Sequence, residues 1–97
     1  MITLRITEKG GETIVQEFDQ DQVTIGRVQG NDIILPKNNI SKRHAQIIKR
    51  GNDYLINDMN STNGTYVNAK PVTSNGFYLK AGDIIAIGDV TLRFENY

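Results

Sequence analysis

Short apolar runs of period two, each cut off by glycine, asparagine or proline, constrain this chain more than any other feature. Ile2, Leu4 and Ile6 alternate with polar neighbours, as do Val23 and Ile25, the spacing that lines one face of a β-strand. Gly10-Gly11 marks a hairpin turn before a second strand at Thr13 to Phe18. A strand at Asp32 to Leu35 is closed by Pro36, which has no backbone donor to offer a ladder. His44 to Ile48 and Asp53 to Asn57 form a hairpin joined at Arg50-Gly51-Asn52. Thr65 to Val67, Phe77 to Leu79, Asp83 to Ile87 and Val90 to Phe94 complete the series, with turns at Ala81-Gly82-Asp83 and Gly88-Asp89. No stretch sustains a helical apolar stripe through three turns. About ten or eleven short strands with polar turns predict an all-β sandwich whose alternating residues fill the space between two sheets.

Nothing marks an internal boundary, repeat or low-complexity linker, so residues 1–97 read as one domain, whether a compact protein or part of a longer one. An apolar share of 38% and a charged share of 23% exclude disorder as the organising state. No apolar run is long enough to span a bilayer, and Met1 to Arg5 lacks the basic-then-apolar pattern of a secretory signal. The expectation is a cytoplasmic domain without membrane insertion. Absence of cysteine excludes disulfides, thiolate zinc sites and a cysteine nucleophile. A single histidine also speaks against a transition-metal site, so neither metal nor cofactor is expected.

The zero net charge conceals an asymmetry. Between Pro36 and Arg50 lie Lys37, Lys42, Arg43, Lys49 and Arg50 with no acidic residue, leaving six basic and eleven acidic side chains elsewhere. A solvated strand edge produces such a run, and so does a local anion site on an acidic body. Nonspecific nucleic-acid binding calls for a wider basic surface than this.

Three loop segments narrow the choice: Gly26-Arg27, Ser41-Lys42-Arg43-His44, and Asn60 to Asn68, reading Asn-Ser-Thr-Asn-Gly-Thr-Tyr-Val-Asn. In this order and spacing they resemble the forkhead-associated (FHA) family, with Asn31-Asp32-Ile33 and Gly82-Asp83-Ile84 also similar. The resemblance covers Val23 to Phe94. It implies an eleven-stranded β-sandwich with recognition loops gathered at one end, and a non-enzymatic domain that binds phosphothreonine-containing peptides or proteins made by a serine/threonine kinase in signal transduction.

That function has definite chemical needs. A phosphate dianion requires several convergent donors, preferably charged, to replace its lost water. On the resemblance, Arg27 supplies a guanidinium fork, Ser41 its hydroxyl and main-chain N–H, Lys42 a charge or backbone donor, and Thr62 a donor from the second loop. Asn63, donor and acceptor at once, suits a peptide backbone, with Asn68 orienting the loop or the peptide. Arg43 stands one position further along and contributes field at the periphery, or is only a surface residue. Asn39, just before the serine, is the expected reader of the third residue after phosphothreonine. It is not arginine, so no strong acidic requirement is expected there.

Other residues carry shape. Gly26 and Gly64 are assigned to tight backbone geometry, and Ser61 to a local bond that fixes the second loop. Ala69 stands where the family usually has glycine, which leaves the type of that turn open. The pair Ser41 and His44 invites a hydrolase reading, but no nucleophile elbow or oxyanion loop accompanies it. The resemblance makes His44 structural instead, its two ring nitrogens bridging backbone groups to hold Ser41. The family's preference for phosphothreonine over phosphoserine implies a recess for the γ-methyl, worth about 1 kcal/mol if buried. The alternative function is a phospho-independent interaction or scaffold domain.

Overall fold

The computed structural model describes residues 1–96; Tyr97, the last residue of the expected domain, lies outside the described residues. Among the described residues eleven strands form two sheets: β1 (Ile2–Glu8), β2 (Thr13–Phe18), β3 (Gln22–Gly26), β4 (Ile33–Ile34), β5 (Ala45–Arg50), β6 (Asp53–Asp58), β7 (Tyr66–Val67), β8 (Lys70–Pro71), β9 (Phe77–Tyr78), β10 (Ile84–Ile87) and β11 (Val90–Phe94). One sheet runs β2-β1-β11-β10-β7-β8 and the other β4-β3-β5-β6-β9. Among the described strands all pairings are antiparallel except β3 with β4, which run parallel. No described helix is long and apolar enough to cross a membrane.

The alternation foreseen for the inner strands is realised. Ile2, Leu4 and Ile6 of β1 meet Val23 and Ile25 of β3, Ile47 of β5, Ile85 and Ile87 of β10 and Leu92 and Phe94 of β11 in one core. Tyr54 packs its ring on Phe94 at 5.4 Å between centroids, a tilted pairing that aromatic quadrupoles favour.

Three departures from the sequence reading have physical causes. The strand at Lys70–Pro71 was not anticipated, because a two-residue segment shows no period and Pro71 argues against a ladder. It is tolerated because β8 is the outer strand of its sheet, where a missing donor breaks no pairing. The strand expected from His44 begins at Ala45, since His44 is turned inward beneath a loop. Third, β2 does not alternate: every residue from Thr13 to Glu17 is exposed. Ile14 faces the same side as buried Ile6, its register partner, yet is 46% exposed. The opposing sheet ends at the two-residue β4 and leaves β2 uncovered.

The β7–β8 hairpin settles the turn at Ala69. Val67 pairs with Lys70 across the two residues Asn68 and Ala69, whose φ values are +50° and +70°. Two successive left-handed residues define a type I′ turn, in which the second position favours glycine. Ala69→Gly is therefore expected to stabilise the protein by about 0.5–1 kcal/mol, the relief of steric cost outweighing the added chain entropy. Urea denaturation checks it, and a lower midpoint in the variant would contradict it.

Candidate functional site

Three loops meet at one end of the sandwich: β3–β4, which opens with Arg27; β4–β5, which carries Ser41 to His44; and β6–β7, which carries Ser61 to Thr65. The first two are stitched along their backbones. Arg27 N–H donates to the Ser41 carbonyl at 3.0 Å, and its Nε donates to the Ile40 carbonyl at 2.9 Å. That bond fixes the half-buried side chain by its inner nitrogen. The two terminal amino groups make no hydrogen bond or ion pair with described residues. A guanidinium so held presents a preformed two-pronged donor.

Ser41 links the first loop pair to the third. Its Oγ accepts the Thr62 N–H at 3.0 Å. A hydroxyl that accepts one bond keeps its own proton to donate elsewhere. The Ser41 main-chain N–H, by contrast, is already given to His44 Nδ1 at 3.0 Å, so the hydroxyl is the donor that Ser41 has left to offer. Thr62 is exposed, and its side-chain hydroxyl has no bond within the described residues.

His44 is fully buried beneath this junction. Because Nδ1 accepts from Ser41 N–H, the ring proton belongs on Nε2, which lies 2.8 Å from the Gly64 carbonyl and donates to it. The imidazole thus bridges backbone groups of two loops twenty residues apart. With its nitrogens committed this way, it offers no free base to the Ser41 hydroxyl, and the geometry is that of a strut.

A second strut was not singled out from the sequence. Asp58, the last residue of β6, accepts the Ser61 N–H at 2.9 Å on Oδ2, and the Ser61 and Thr65 hydroxyls at 2.5 and 2.6 Å on Oδ1. Ser61 Oγ in turn accepts Gly64 N–H at 2.9 Å, and Gly64 sits at φ +86°. An aspartate three residues before a serine in a glycine-containing loop is a local capping pattern that could have been read. Burial pushes the Asp58 carboxyl up, but the hydrogen bonds from Ser61 and Thr65 outweigh it and the net shift is downward. A carboxyl lowered on folding stabilises the protein above its ordinary range, and loses that effect as pH falls through the folded value. The melting temperature of Asp58→Asn is thus expected below that of the parent at pH 7, with the gap narrowing below about pH 4. A gap independent of pH would contradict this.

Asn31, seen from sequence only as part of a similar triplet, is a third missed support. Its buried amide donates to the Val28 carbonyl at 2.8 Å and the Lys42 carbonyl at 2.9 Å, tying the β3–β4 loop to the serine loop. Gly26 lies against the Asn31 amide and the Lys42 carbonyl, with no room for a side chain. Asn63 donates from Nδ2 to the Asn39 carbonyl at 2.9 Å, joining the second and third loops and keeping its carbonyl oxygen uncommitted. The Asn39 side chain lies against Gly88 in the β10–β11 turn. Asn68 uses both ends of its amide internally: Nδ2 donates to Asp83 at 2.9 Å, and Oδ1 accepts Ile84 N–H at 3.0 Å.

Charge is distributed more narrowly than the basic run suggested. Lys42 and Arg43 are exposed at the loop, and Arg43 reaches over Gly30. Neither they nor Arg27 has a carboxylate partner among the described residues. Lys37 pairs with Glu8 at 3.2 Å. Lys49 and Arg50 stand at the far end of β5, about 20 Å along the strand from His44, and belong to a different surface.

Comparisons with known proteins bear on the family and the fold. The model of the family described as "FHA domain" matches residues 23–88. The oxoglutarate dehydrogenase inhibitor of Corynebacterium jeikeium is 41% identical over 79 residues, 81% of this chain and 54% of its own length. The chain thus spans about half the length of that relative, and 18% of the transcriptional regulatory protein EmbR, which is also 41% identical. A solved structure from a study of phosphothreonine-dependent FHA domain interactions superposes with a TM-score of 0.84 at 30% identity, covering 98% of this chain and 97% of that one. EmbR of Mycobacterium tuberculosis in complex with a low-affinity phosphopeptide superposes at 0.81 and 32% identity, covering 96% of this chain and 24% of that one.

Proposed function

The chain belongs to the FHA family, and from that premise we propose that it reads phosphothreonine in a partner protein without catalysing any reaction on it. FHA domains generally mediate phosphothreonine-dependent interactions and are non-catalytic modules. The observation that carries the reading here is the set of uncommitted donors at one loop junction: the terminal amino groups of Arg27, the Ser41 hydroxyl and the Thr62 hydroxyl.

On this reading the phosphate settles between Arg27 and Ser41, with Thr62 closing the second side and exposed Lys42 adding charge from above. The donors are preorganised by groups that do not touch the ligand, so little ordering entropy is spent on binding. The free carbonyl of Asn63 receives a peptide N–H, while Asn68 orients the loop through Asp83 and Ile84. Arg43 contributes long-range field. Asn39 retains its assignment as a reader of the third residue after phosphothreonine, through whatever part of its side chain the Gly88 contact leaves accessible. The partner is a protein phosphorylated by a serine/threonine kinase, met in the cytoplasm.

Matched peptides carrying phosphothreonine, phosphoserine or unmodified threonine, titrated at fixed ionic strength, test this. Phosphothreonine is expected to bind most tightly, and phosphoserine several-fold more weakly, because one buried methyl is worth about 1 kcal/mol. Unmodified threonine should not bind measurably. Equal binding of phosphorylated and unmodified forms would replace this reading with that of a phospho-independent scaffold.

A further inference from the structure

Away from the recognition loops, the sandwich is open along the side where β2 and β4 end their sheets. A cleft of about 470 Å³ lies there. Its apolar walls include Ile6, Ile14 and Ile34, and its rim carries Glu8, Glu12 and Asp32. Ile14 and Ile34 are each 46% exposed, although their register partners Ile6 and Gly26 are buried.

Three independent features coincide at this cleft. Among the described residues the outer edge of six-residue β2 has no pairing strand, leaving its outward backbone donors and acceptors available to another strand. An uncovered apolar surface flanks that edge. The rim is acidic: Glu8 is paired with Lys37, but neither Glu12 nor Asp32 has a cationic partner among the described residues. Natural edge strands are usually blunted by lysine, proline or a bulge, and Thr13-Ile14-Val15-Gln16-Glu17-Phe18 contains no lysine and no proline.

We propose that this cleft is a second, phosphate-independent docking site, taking an extended protein segment that pairs with β2 and mixes β-branched with basic side chains. Main-chain bonds to the edge supply register, apolar residues cover Ile14 and Ile34, and Lys or Arg meets Glu12 and Asp32. Six residues of edge accommodate about 20 Å of partner strand. Charge decides between occupants. A second copy of this chain pairing edge to edge brings its own Glu12 and Glu17 against the first, and like charges across a strand pair repel. A basic segment reverses that sign. Because the site excludes Arg27, Ser41 and Thr62, its occupancy does not depend on phosphorylation.

The probe is an unphosphorylated eight-residue peptide, Thr-Val-Thr-Lys-Thr-Val-Thr-Lys, whose valines and lysines share one strand face as Glu12 and Ile14 do, with a twin carrying glutamate for lysine, titrated into the 15N-labelled full chain. The lysine peptide is expected to shift the amides of Thr13 to Phe18 and of Ile33 and Ile34 saturably. The glutamate twin should leave them in place. Ile14→Lys and Glu12→Lys change exposed side chains and should keep the fold and phosphothreonine-peptide binding. Each is expected to weaken the lysine peptide about tenfold, through lost apolar cover or reversed charge. Arg27→Ala should leave this binding unchanged. The proposal is overturned if the lysine peptide shifts only residues near Arg27 and Ser41, if both peptides bind alike, or if no shift appears at millimolar peptide. Dimerisation that protects the β2 amides would likewise overturn it, in favour of a second copy as the occupant.

Discussion

Arg27→Ala is expected to weaken binding of a phosphothreonine peptide by about 100-fold while leaving the fold in place. Two charge-assisted hydrogen bonds to a phosphate dianion, lost together, are worth about 2–3 kcal/mol after exchange with water. The side chain is half-buried and anchored by one bond from Nε to the Ile40 carbonyl, so its structural contribution is near 1 kcal/mol. Circular dichroism and a thermal melt should therefore show a folded protein with a modestly lowered midpoint. Arg27→Lys should fall between parent and alanine, since an ammonium keeps the charge but cannot hold Ile40 and present a planar fork together. Calorimetric titration reads all three. A loss of less than about fivefold in the alanine variant would show that phosphate is bound elsewhere.

Gly26→Ala is expected to cost about 3 kcal/mol of stability, a larger effect than any surface change in the recognition loops. A Cβ at this position would stand 2.2 Å from the Lys42 carbonyl oxygen and 2.6 Å from Asn31 Nδ2. Neither group can step aside cheaply. The carbonyl is main chain and accepts the Asn31 amide, which also holds Val28. Gly26 itself is pinned in β3, its own carbonyl accepting the Leu35 N–H at 2.8 Å. The chain must open where the Arg27 and Ser41 loops are stitched together, so peptide affinity should drop as well. Urea denaturation with a parallel peptide titration measures both. Unchanged stability would mean that the close approach of Lys42 is not required.

The two variants separate what was legible in the residues from what was not. Arg27 could be singled out as a candidate because its neighbours in the chain point to it: a strand ending in glycine, then a serine-lysine-arginine-histidine block and an Asn-Gly loop at family-like spacing. The role of Gly26 was readable only in kind. Nothing local shows that the Lys42 carbonyl, sixteen residues on, comes within contact distance. The same holds for Asn31, an ordinary polar residue until the Lys42 carbonyl is brought beside it. Asp58 differs: its bonds to Ser61 are local and legible as a turn pattern, and only its hold on Thr65 needed the folded loop.

By itself the sequence determined the all-β class, the approximate positions of most strands along the chain and the loops expected to carry recognition. Period-two alternation and glycine-rich turns are local consequences of backbone sterics, and they survive any tertiary arrangement. Only the tertiary structure decided which donors remain available. The Ser41 N–H is committed to His44, whose ring is held in turn by the Gly64 carbonyl twenty positions on, while the Ser41 hydroxyl, accepting from Thr62 twenty-one positions away, stays free to donate. Tertiary structure also left Ile14 uncovered. An alternating strand is buried only if the opposite sheet extends far enough to meet it, and here that sheet stops at two residues of β4.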